Sequence, residues 1–180
     1  MDILENRKVM KYTWKVMLMR ILWNIGEIPF RYSFRTMFGF RSSLLRIFGA
    51  RVGEHVHIYN TAVIYMPWNL EIGDYSAIGE YAFIYNLAPI KIGSCATISQ
   101  RAHLCAGTHD YTNPALPLLK LPVLIGDQTW ICADAFVGPG VTVAEGAIVG
   151  ARGVVVKDVG EWDIVAGNPA KFIKKRILKK

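Results

Sequence analysis

His109 stands at the point of the sequence best suited to proton-transfer chemistry. It ends a hydrophobic repeat and is followed at once by a long insertion that contains three prolines, residues 110–124. Imidazole readily takes up and releases a proton near neutral pH, so a histidine at such a boundary predicts a general base. An ordinary loop histidine is the alternative interpretation.

The remaining histidines raise the question of a metal site. Zinc chemistry on a histidine-only site needs three imidazoles that converge on one point. The chain has only four histidines, and His55 and His57 lie far before His103 and His109 in the sequence. We therefore expect no metal, and we rank a zinc carbonic anhydrase-like prism well below the other functions.

The three cysteines, Cys95, Cys105 and Cys132, form no C-x-x-C pair and are odd in number. This favours free thiols in a reducing cytoplasm over a disulfide framework. Small buried residues of this kind need no catalytic role.

Charge is unevenly distributed along the 180 residues, whose formal net charge is +7. Residues 1–51 carry ten Lys and Arg against three Asp and Glu, residues 52–170 carry five against eleven, and the last ten carry six against none. The acidic middle would repel phosphate, and no zinc-finger, RNP or helix-turn-helix pattern is present, which argues against nucleic acid. The basic ends suit an anionic cofactor or a membrane surface better.

A six-residue repeat that begins at Val52 must position His109. The first position is a branched aliphatic residue in all fifteen units, and the fifth is small in fourteen, with Trp68 as the exception. Neither a helix nor a plainly alternating strand has this period. A short strand followed by a bend does, with the first and fifth positions pointing inward. The first positions are Val52, Ile58, Ile64, Ile72, Ile78, Ile84, Ile92, Ile98, Leu104, Ile125, Ile131, Val137, Val143, Val149 and Val155.

Three insertions reveal how the units are grouped. Two residues follow the unit that starts at Ile64, two follow the unit at Ile84, and fifteen follow the unit at Leu104. Each insertion comes after a group of three units, so three units make one coil and every insertion leaves from the same edge. We predict an all-β fold, a triangular prism of about five coils that is roughly 20–25 Å tall at the ~4.8 Å strand spacing.

Six stretches have distinctive residues in addition to the repeat pattern: FRSSLLRIFGARVG (40–53), PWNLEIGDYSAIGE (67–80), IYNLAPIKIG (84–93), LCAGTHDYTNP (104–114), IGDQTWICADAFVGPGVTV (125–143) and IVAGNPAK (164–171). Together they resemble the hexapeptide-repeat acyltransferases, and most closely the colanic-acid-type exopolysaccharide biosynthesis acetyltransferases, over residues 20–176. The resemblance implies a left-handed parallel β-helix and a homotrimer with acetyl-CoA in a groove between neighbouring prisms. It also implies that His109 is the catalytic base.

The resemblance extends to the residues that would bind the substrates. For the acceptor it suggests Asn86, Asp110 and Tyr111, although a turn-capping role for Asn86 is equally compatible with the sequence. For the cofactor it suggests contacts along the groove, with lysines meeting phosphates as point charges; an interface tryptophan and a solvated basic tail are the alternatives. The candidate cofactor residues are Trp130, Ala133, Ala151, Lys157, Pro169, Lys171 and Lys174.

The sequence before the repeat predicts one helix over residues 8–25 that ends near Gly26. Its charges leave no uncharged run of the ~20 residues that a membrane span requires. It could cap the open end of the prism or lie in a membrane interface, and capping is favoured. The predicted organisation is an N-terminal capping segment (1–51), a repeat domain (52–163) with a protruding loop (110–124), and a C-terminal segment (164–180).

The function expected from these features is direct O-acetyl transfer from acetyl-CoA to a sugar hydroxyl of a glycan, an exopolysaccharide or a lipid-linked intermediate. N-acetylation of an amino sugar is the second possibility, because the same base would serve it. The sequence does not identify the acceptor.

Overall fold

The hexapeptide units form short strands that stack on three faces, as a computed structural model shows for residues 3–179. Met1, Asp2 and Lys180, at the ends of the predicted terminal segments, lie outside the described residues. Face A contains β1 (Arg51–Val52), β4 (Leu70–Ile72), β7 (Ile90–Ile92), β12 (Val123–Ile125) and β15 (Thr142–Val143). Face C contains β3 (Val63–Ile64), β6 (Phe83–Tyr85), β9 (His103–Cys105), β14 (Phe136–Val137) and β17 (Val154–Val155).

Face B is the longest of the three faces. Its parallel strands are β2 (His57–Ile58), β5 (Ala77–Ile78), β8 (Thr97–Ile98), β13 (Trp130–Ile131), β16 (Ile148–Val149) and β18 (Asp163–Ala166). The strand β19 (Lys171–Lys175) then returns antiparallel to β18. Five coils are thus complete on all three faces. A sixth turn begins on face A, where Val159 bridges to Val143, and continues on face B with β18.

The core follows the repeat. The aliphatic first positions are buried, and alanines fill the inward fifth positions at Ala62, Ala82 and Ala102. After each insertion, the buried position two residues before the next first-position aliphatic is occupied by a large residue instead of a small one. These residues are Leu70, Ile90 and Val123. Thr108, predicted to point inward, is instead exposed.

All three insertions leave the prism at the end of a face C strand, β3, β6 or β9, which confirms the single-edge prediction. The first insertion holds a short 3-10 turn, Pro67–Asn69. The third is largely ordered as an antiparallel hairpin of β10 (Gly107–His109) and β11 (Leu118–Lys120). The chain therefore departs from the repeat at Gly107, earlier than the predicted start of the loop at residue 110.

The N-terminal segment forms three helices, and the bounds predicted for a single helix over 8–25 are wrong. They are α1 (Ile3–Lys8), α2 (Trp14–Tyr32) and α3 (Phe38–Ile47). Thr13 caps α2 by accepting a hydrogen bond from the Val16 N–H at 3.4 Å. Gly26 lies inside α2 and does not end it. Glycine at this position lets the Phe48 ring pack closely against the helix, since an added Cβ would lie 2.5 Å from that ring.

Two buried side chains join the helices to the first coil. Trp23 Nε1 donates to the Ile64 carbonyl at 2.8 Å. Arg41 is fully buried and its guanidinium donates to Ile58 O at 2.6 Å and to atoms of the α2–α3 connection, Ser33 Oγ, Phe34 O and Arg35 O. The helices therefore cover the open end of the prism, where unpaired strand edges would otherwise face water.

None of the helices among residues 3–179 has the length and apolar character needed to cross a bilayer.

Candidate active site

His109 is the last residue of β10, and its side chain is exposed at the edge of the prism where the insertions leave. The hairpin holds it in place, since His109 pairs with Leu118 across the antiparallel ladder. Strand β10 passes directly over the coil below: a Cβ added to Gly107 would lie 2.5 Å from Leu87 Cδ1 and 3.3 Å from the Tyr85 ring. Glycine at this position lets the backbone approach that closely.

The ring of His109 is oriented by a backbone carbonyl. Its Nδ1 lies 2.7 Å from Leu116 O, which can only accept, so Nδ1 carries the proton and Nε2 of the neutral ring is a free acceptor. Leu116 has a left-handed backbone, φ 47°, which is uncommon for a residue with a Cβ. An imidazole held in this tautomer can remove a proton from a hydroxyl group at Nε2.

The hairpin tip is tied by short-range hydrogen bonds. The Asp110 carboxylate accepts from Thr112 Oγ1 at 2.5 Å and Thr112 N at 2.9 Å. These bonds hold the pKa of the Asp110 carboxyl below its usual value, the hydroxyl contributing most. Tyr111 is exposed at the tip. Asp110 thus stabilises the turn in this structure, and the acceptor-binding roles of both residues stay predictions.

Asn86 is fully buried one coil below. Its Oδ1 accepts from Met66 N at 2.8 Å and its Nδ2 donates to Met66 O at 2.6 Å. These contacts are the ones expected of an amide that stabilises a turn. A direct role for Asn86 in acceptor binding or in orienting His109 stays a prediction.

A polar aromatic cluster beneath the hairpin was not anticipated from the sequence. Arg20 Nη2 donates to Tyr65 Oη at 2.7 Å, and its guanidinium lies 5.0 Å from the Tyr12 ring centroid. The Tyr65 and Tyr85 rings are 4.9 Å apart. Burial, with the neighbouring Tyr65, raises the pKa of Tyr12 to about 12, and burial also raises the pKa of Tyr85. One signal existed: Tyr65 and Tyr85 both directly follow a first-position isoleucine at the insertion edge.

The predicted cofactor residues fall into separate groups. Trp130 is outward on face B, where its Nε1 donates to Ser99 Oγ at 2.9 Å. Ala133 and Ala151 occupy successive coils at the corner between faces B and C, since Ile131 pairs with Val149. None of these residues lies on the edge that carries His109 within the same chain.

Three other predicted residues line one pocket at the C-terminal end of the prism. Lys157, Pro169 and Lys171 surround a cavity of about 420 Å³, together with apolar side chains of β17 and β19. The lining carries both signs of charge beside its apolar wall, since Asp158 and Asp163 contribute carboxyl groups next to the ammonium groups of Lys157 and Lys171. Lys174 is further along β19, opposite Ile164 and exposed.

Among residues 3–179, no three His, Cys, Asp or Glu side chains come together in a way that could hold a metal ion. His55 stacks on Tyr75 and His57 stacks on Phe38, both at the first coil. Cys95, Cys105 and Cys132 are free thiols.

Comparison with known proteins gives relatives of nearly the same extent. "Putative colanic acid biosynthesis acetyltransferase WcaF" of Escherichia coli K12 is 37% identical over 158 residues, which cover 88% of this chain and 87% of the relative. No protein-family profile matches the chain.

Solved structures agree on the fold. A galactoside acetyltransferase in complex with coenzyme A superposes with a TM-score of 0.85 at 22% identity, covering 97% of this chain and 91% of that one. A mutant of AntD, an N-acyltransferase from Bacillus cereus, in complex with dTDP and coenzyme A gives a TM-score of 0.64 at 26% identity, with 76% and 89% covered. The neighbours are left-handed β-helices, so the handedness implied by the resemblance is confirmed. Since the identity to WcaF extends over most of both sequences, the chain belongs to the WcaF-related family of hexapeptide-repeat acetyltransferases.

Proposed function

We propose that the protein transfers an acetyl group from acetyl-CoA to a sugar hydroxyl of a glycan, an exopolysaccharide or a lipid-linked sugar intermediate. The observation that carries this proposal is the hydrogen bond from His109 Nδ1 to Leu116 O, which leaves Nε2 free to accept a proton on the exposed side of the hairpin. The similarity to WcaF supports a sugar polymer or its precursor as the acceptor.

The transfer is direct. His109 Nε2 takes the proton of the acceptor hydroxyl as the oxygen forms a bond to the thioester carbonyl carbon. The carbon–sulfur bond then breaks, and His109 returns the proton to the departing thiolate. Backbone N–H groups stabilise the oxyanion between the two steps.

The two substrates would approach from different sides of His109. Lys157 and Lys171 would meet the phosphates of the donor at the cavity that they line with Pro169, and Asp158 and Asp163 lie in the same lining. Solved neighbours of this fold hold coenzyme A. On the acceptor side, the hydroxyls and rings of Tyr65 and Tyr85 beside Arg20 match the mixed polar and apolar surface of a sugar. Asn86, Asp110 and Tyr111 remain proposed acceptor residues.

The site is completed in a homotrimer. His109 and Trp130 lie on different parts of one prism, so a groove that uses both requires the His109 edge of one subunit and face B of the next. Closed cyclic assembly forms three such grooves. Light scattering should give three times the 20.2 kDa of one chain. Coexpressed His109→Ala and Trp130→Ala chains should recover activity in mixed trimers, whereas a site within one subunit would give no recovery.

The proposed location is the cytoplasm, where acetyl-CoA is made and where free thiols such as Cys95, Cys105 and Cys132 persist. Peripheral contact with an anionic membrane surface is part of this proposal.

N-acetylation of an amino sugar is a second candidate, favoured by the similarity to the N-acyltransferase AntD at 26% identity. The same base would serve an amine, so the acceptor alone separates the two reactions. Supplying matched hydroxy and amino sugars and measuring release of free CoA distinguishes them.

The test of the base is His109→Ala, with His55→Asn as the control. General-base catalysis contributes about 10²–10⁴-fold, so CoA release should fall by at least ~10² for His109→Ala while the melting temperature is kept. His55 is exposed on the first coil in a left-handed backbone, φ 53°, that Asn tolerates, so the control should retain activity. Near wild-type turnover of His109→Ala would rule out the assigned base.

A further inference from the structure

Helix α2 is apolar on both sides. Its inner side buries Trp23, Gly26 and Phe30 against the rest of the protein. Its outer side exposes eight large side chains, which we call the outer stripe: Trp14, Met17, Leu18, Ile21, Leu22, Ile25, Ile28 and Tyr32. The charged residues of the helix lie between these two sides, so the outer side is a second, separate apolar face.

The outer stripe is continuous. At 100° per residue its members span an arc of about 140°, and no charged residue falls inside that arc. The helix has 19 residues, which makes the stripe about 28 Å long at a rise of 1.5 Å per residue. Trp14, 69% exposed, begins the stripe and Tyr32, 86% exposed, ends it. Amphipathic aromatic rings of this kind are enriched at membrane–water interfaces.

Cations flank the outer stripe. Lys11 and Lys15 are exposed at its Trp14 end. Arg31 and Arg35 are exposed at its Tyr32 end, where they form ion pairs with Glu27 and Glu80. Residues 1–51 as a whole carry ten basic residues against three acidic ones. An apolar helix face bordered by Lys and Arg has the composition of interfacial helices that bind anionic lipid.

The charge of this surface also argues against a second copy using the same patch. Two such faces would bring an excess of positive charge together on both sides. Outside the helices, the exposed large apolar side chains are spread over the corners, the faces, the hairpin and the C-terminal segment: Tyr75, Tyr81, Tyr111, Leu119, Leu121, Leu124, Trp130, Val156, Phe172, Ile173, Ile177 and Leu178.

The Trp14 end of α2 is attached to the catalytic hairpin. Asn6 Nδ2 donates to Leu116 O at 2.7 Å, and Lys120 Nζ donates to Lys11 O at 3.2 Å and lies 4.8 Å from the Tyr12 ring. A surface that binds the stripe is therefore held next to the hairpin that carries His109.

We propose that the outer stripe of α2 docks on an anionic bilayer surface and holds the His109 hairpin at the lipid interface. Resting on the proposed function, this makes a lipid-linked sugar, presented from the membrane, the preferred acceptor class. The docking itself does not depend on the acetyl-transfer chemistry.

The experiment is cosedimentation of the full chain with vesicles of phosphatidylcholine alone or mixed with phosphatidylglycerol. Wild-type protein should pellet with the mixed vesicles and be released by salt, because the Debye length falls from ~10 Å at 0.1 M to ~3 Å at 1 M. Replacing Ile21 and Ile25 together by Asp should weaken partitioning by about tenfold or more. These side chains are 58% and 63% exposed, so the melting temperature should hold; if it falls, the double Ser variant is used instead.

Tyr81→Asp is the matched control. Tyr81 is 62% exposed on the prism, and its φ of 58° suits Asp. It should pellet like the wild type. Wild-type partitioning by the double variant would overturn the proposal. So would a double variant that dissociates in light scattering while the wild type ignores vesicles, because the stripe would then face another copy. His109→Ala should still pellet and the double variant should still acetylate a free sugar, so the two proposals fail separately.

Discussion

The prism and the N-terminal helices of this protein treat apolar residues in opposite ways. Within the prism, the aliphatic first positions of the repeat are inside, and Ile58, Ile78, Ile84 and Ile98 have no exposed surface. In the helices, isoleucines of the same type are left on the outside, with Ile25 63% exposed. The prism therefore buries its hydrophobic residues in its own core, whereas the helices bury those of only one side.

This difference separates stability from interaction. A repeat that encloses its own core needs nothing further except a cover for its first coil, which Trp23 and Arg41 help to provide. An apolar face left over after that cover is formed does not stabilise the isolated chain, so it indicates a surface for another partner. The helices thus combine an inward structural role with an outward binding role.

The largest expected effect comes from removing the same atoms in the two regions. Ile84→Ala leaves a cavity in the closed prism and should lower the free energy of unfolding by about 2–5 kcal/mol. Ile25→Ala removes surface that already faces water, and should change that free energy by less than about 0.5 kcal/mol. Denaturant unfolding of both variants measures the difference. Equal losses would show that the outer stripe is covered within the isolated protein and would remove the contrast.

The fold of the prism could be predicted because each unit repeats the same pattern of inward-facing residues. A first-position aliphatic such as Ile84 and a small residue such as Ala82 recur at fixed spacing, and the insertions mark the coils. The helix bounds could not be predicted in this way. Glycine is common at helix ends, which is why the sequence suggests an end at Gly26. In the structure Gly26 makes a tertiary contact with Phe48, which local sequence does not encode.

The candidate site divides along the same line. His109 was predicted because the repeat stops there, a signal carried by local sequence. Its orientation depends on Leu116 O and on Asn6, which is 110 residues away from Leu116. The cluster of Tyr12, Arg20 and Tyr65 likewise joins the helices to the prism, so only the folded chain brings it together.

A smaller effect is expected where the two regions meet at the site. Asn6 Nδ2 donates to Ala115 O at 2.6 Å and to Leu116 O, the carbonyl that orients His109. If His109 is the base, Asn6→Ala should lower kcat about twofold to tenfold, the worth of one hydrogen bond of 0.5–1.5 kcal/mol, with the KM for acetyl-CoA unchanged.

The controls for Asn6 separate positioning from a general loss of structure. Asn6→Asp keeps the oxygen that accepts from Lys11 Nζ at 2.8 Å but cannot donate, so it should resemble Asn6→Ala. Asn24→Ala removes an exposed amide from α2 and should leave kcat unchanged. If both Asn6 variants kept the wild-type kcat, the helices would have no part in orienting the base.

The smallest expected effect concerns His103 on face C of the prism. Its ring stacks on Phe83 at 4.8 Å and meets the edge of Phe136 at 5.2 Å, and Nε2 is buried without a hydrogen-bond partner. Burial lowers the pKa of His103 below its value of 6.5 in an unfolded chain. Between the two pKa values the unfolded chain binds more protons, so the stability due to neutral His103 is present above about pH 6.5 and is lost as the pH falls below it.

Replacing His103 by Gln or Phe removes this titration and therefore should reduce the loss of melting temperature between about pH 7.5 and about pH 5.5. The reduction should be only about 1–3 °C, since the ring is partly exposed and one group contributes little to the whole. His103→Phe continues the aromatic column and His103→Gln interrupts it, so the pair separates packing from protonation: the two variants should differ in melting temperature at either pH but share the same weakened acid sensitivity. If both variants remained as acid-sensitive as the wild type, protonation of His103 would not be what destabilises the prism at low pH.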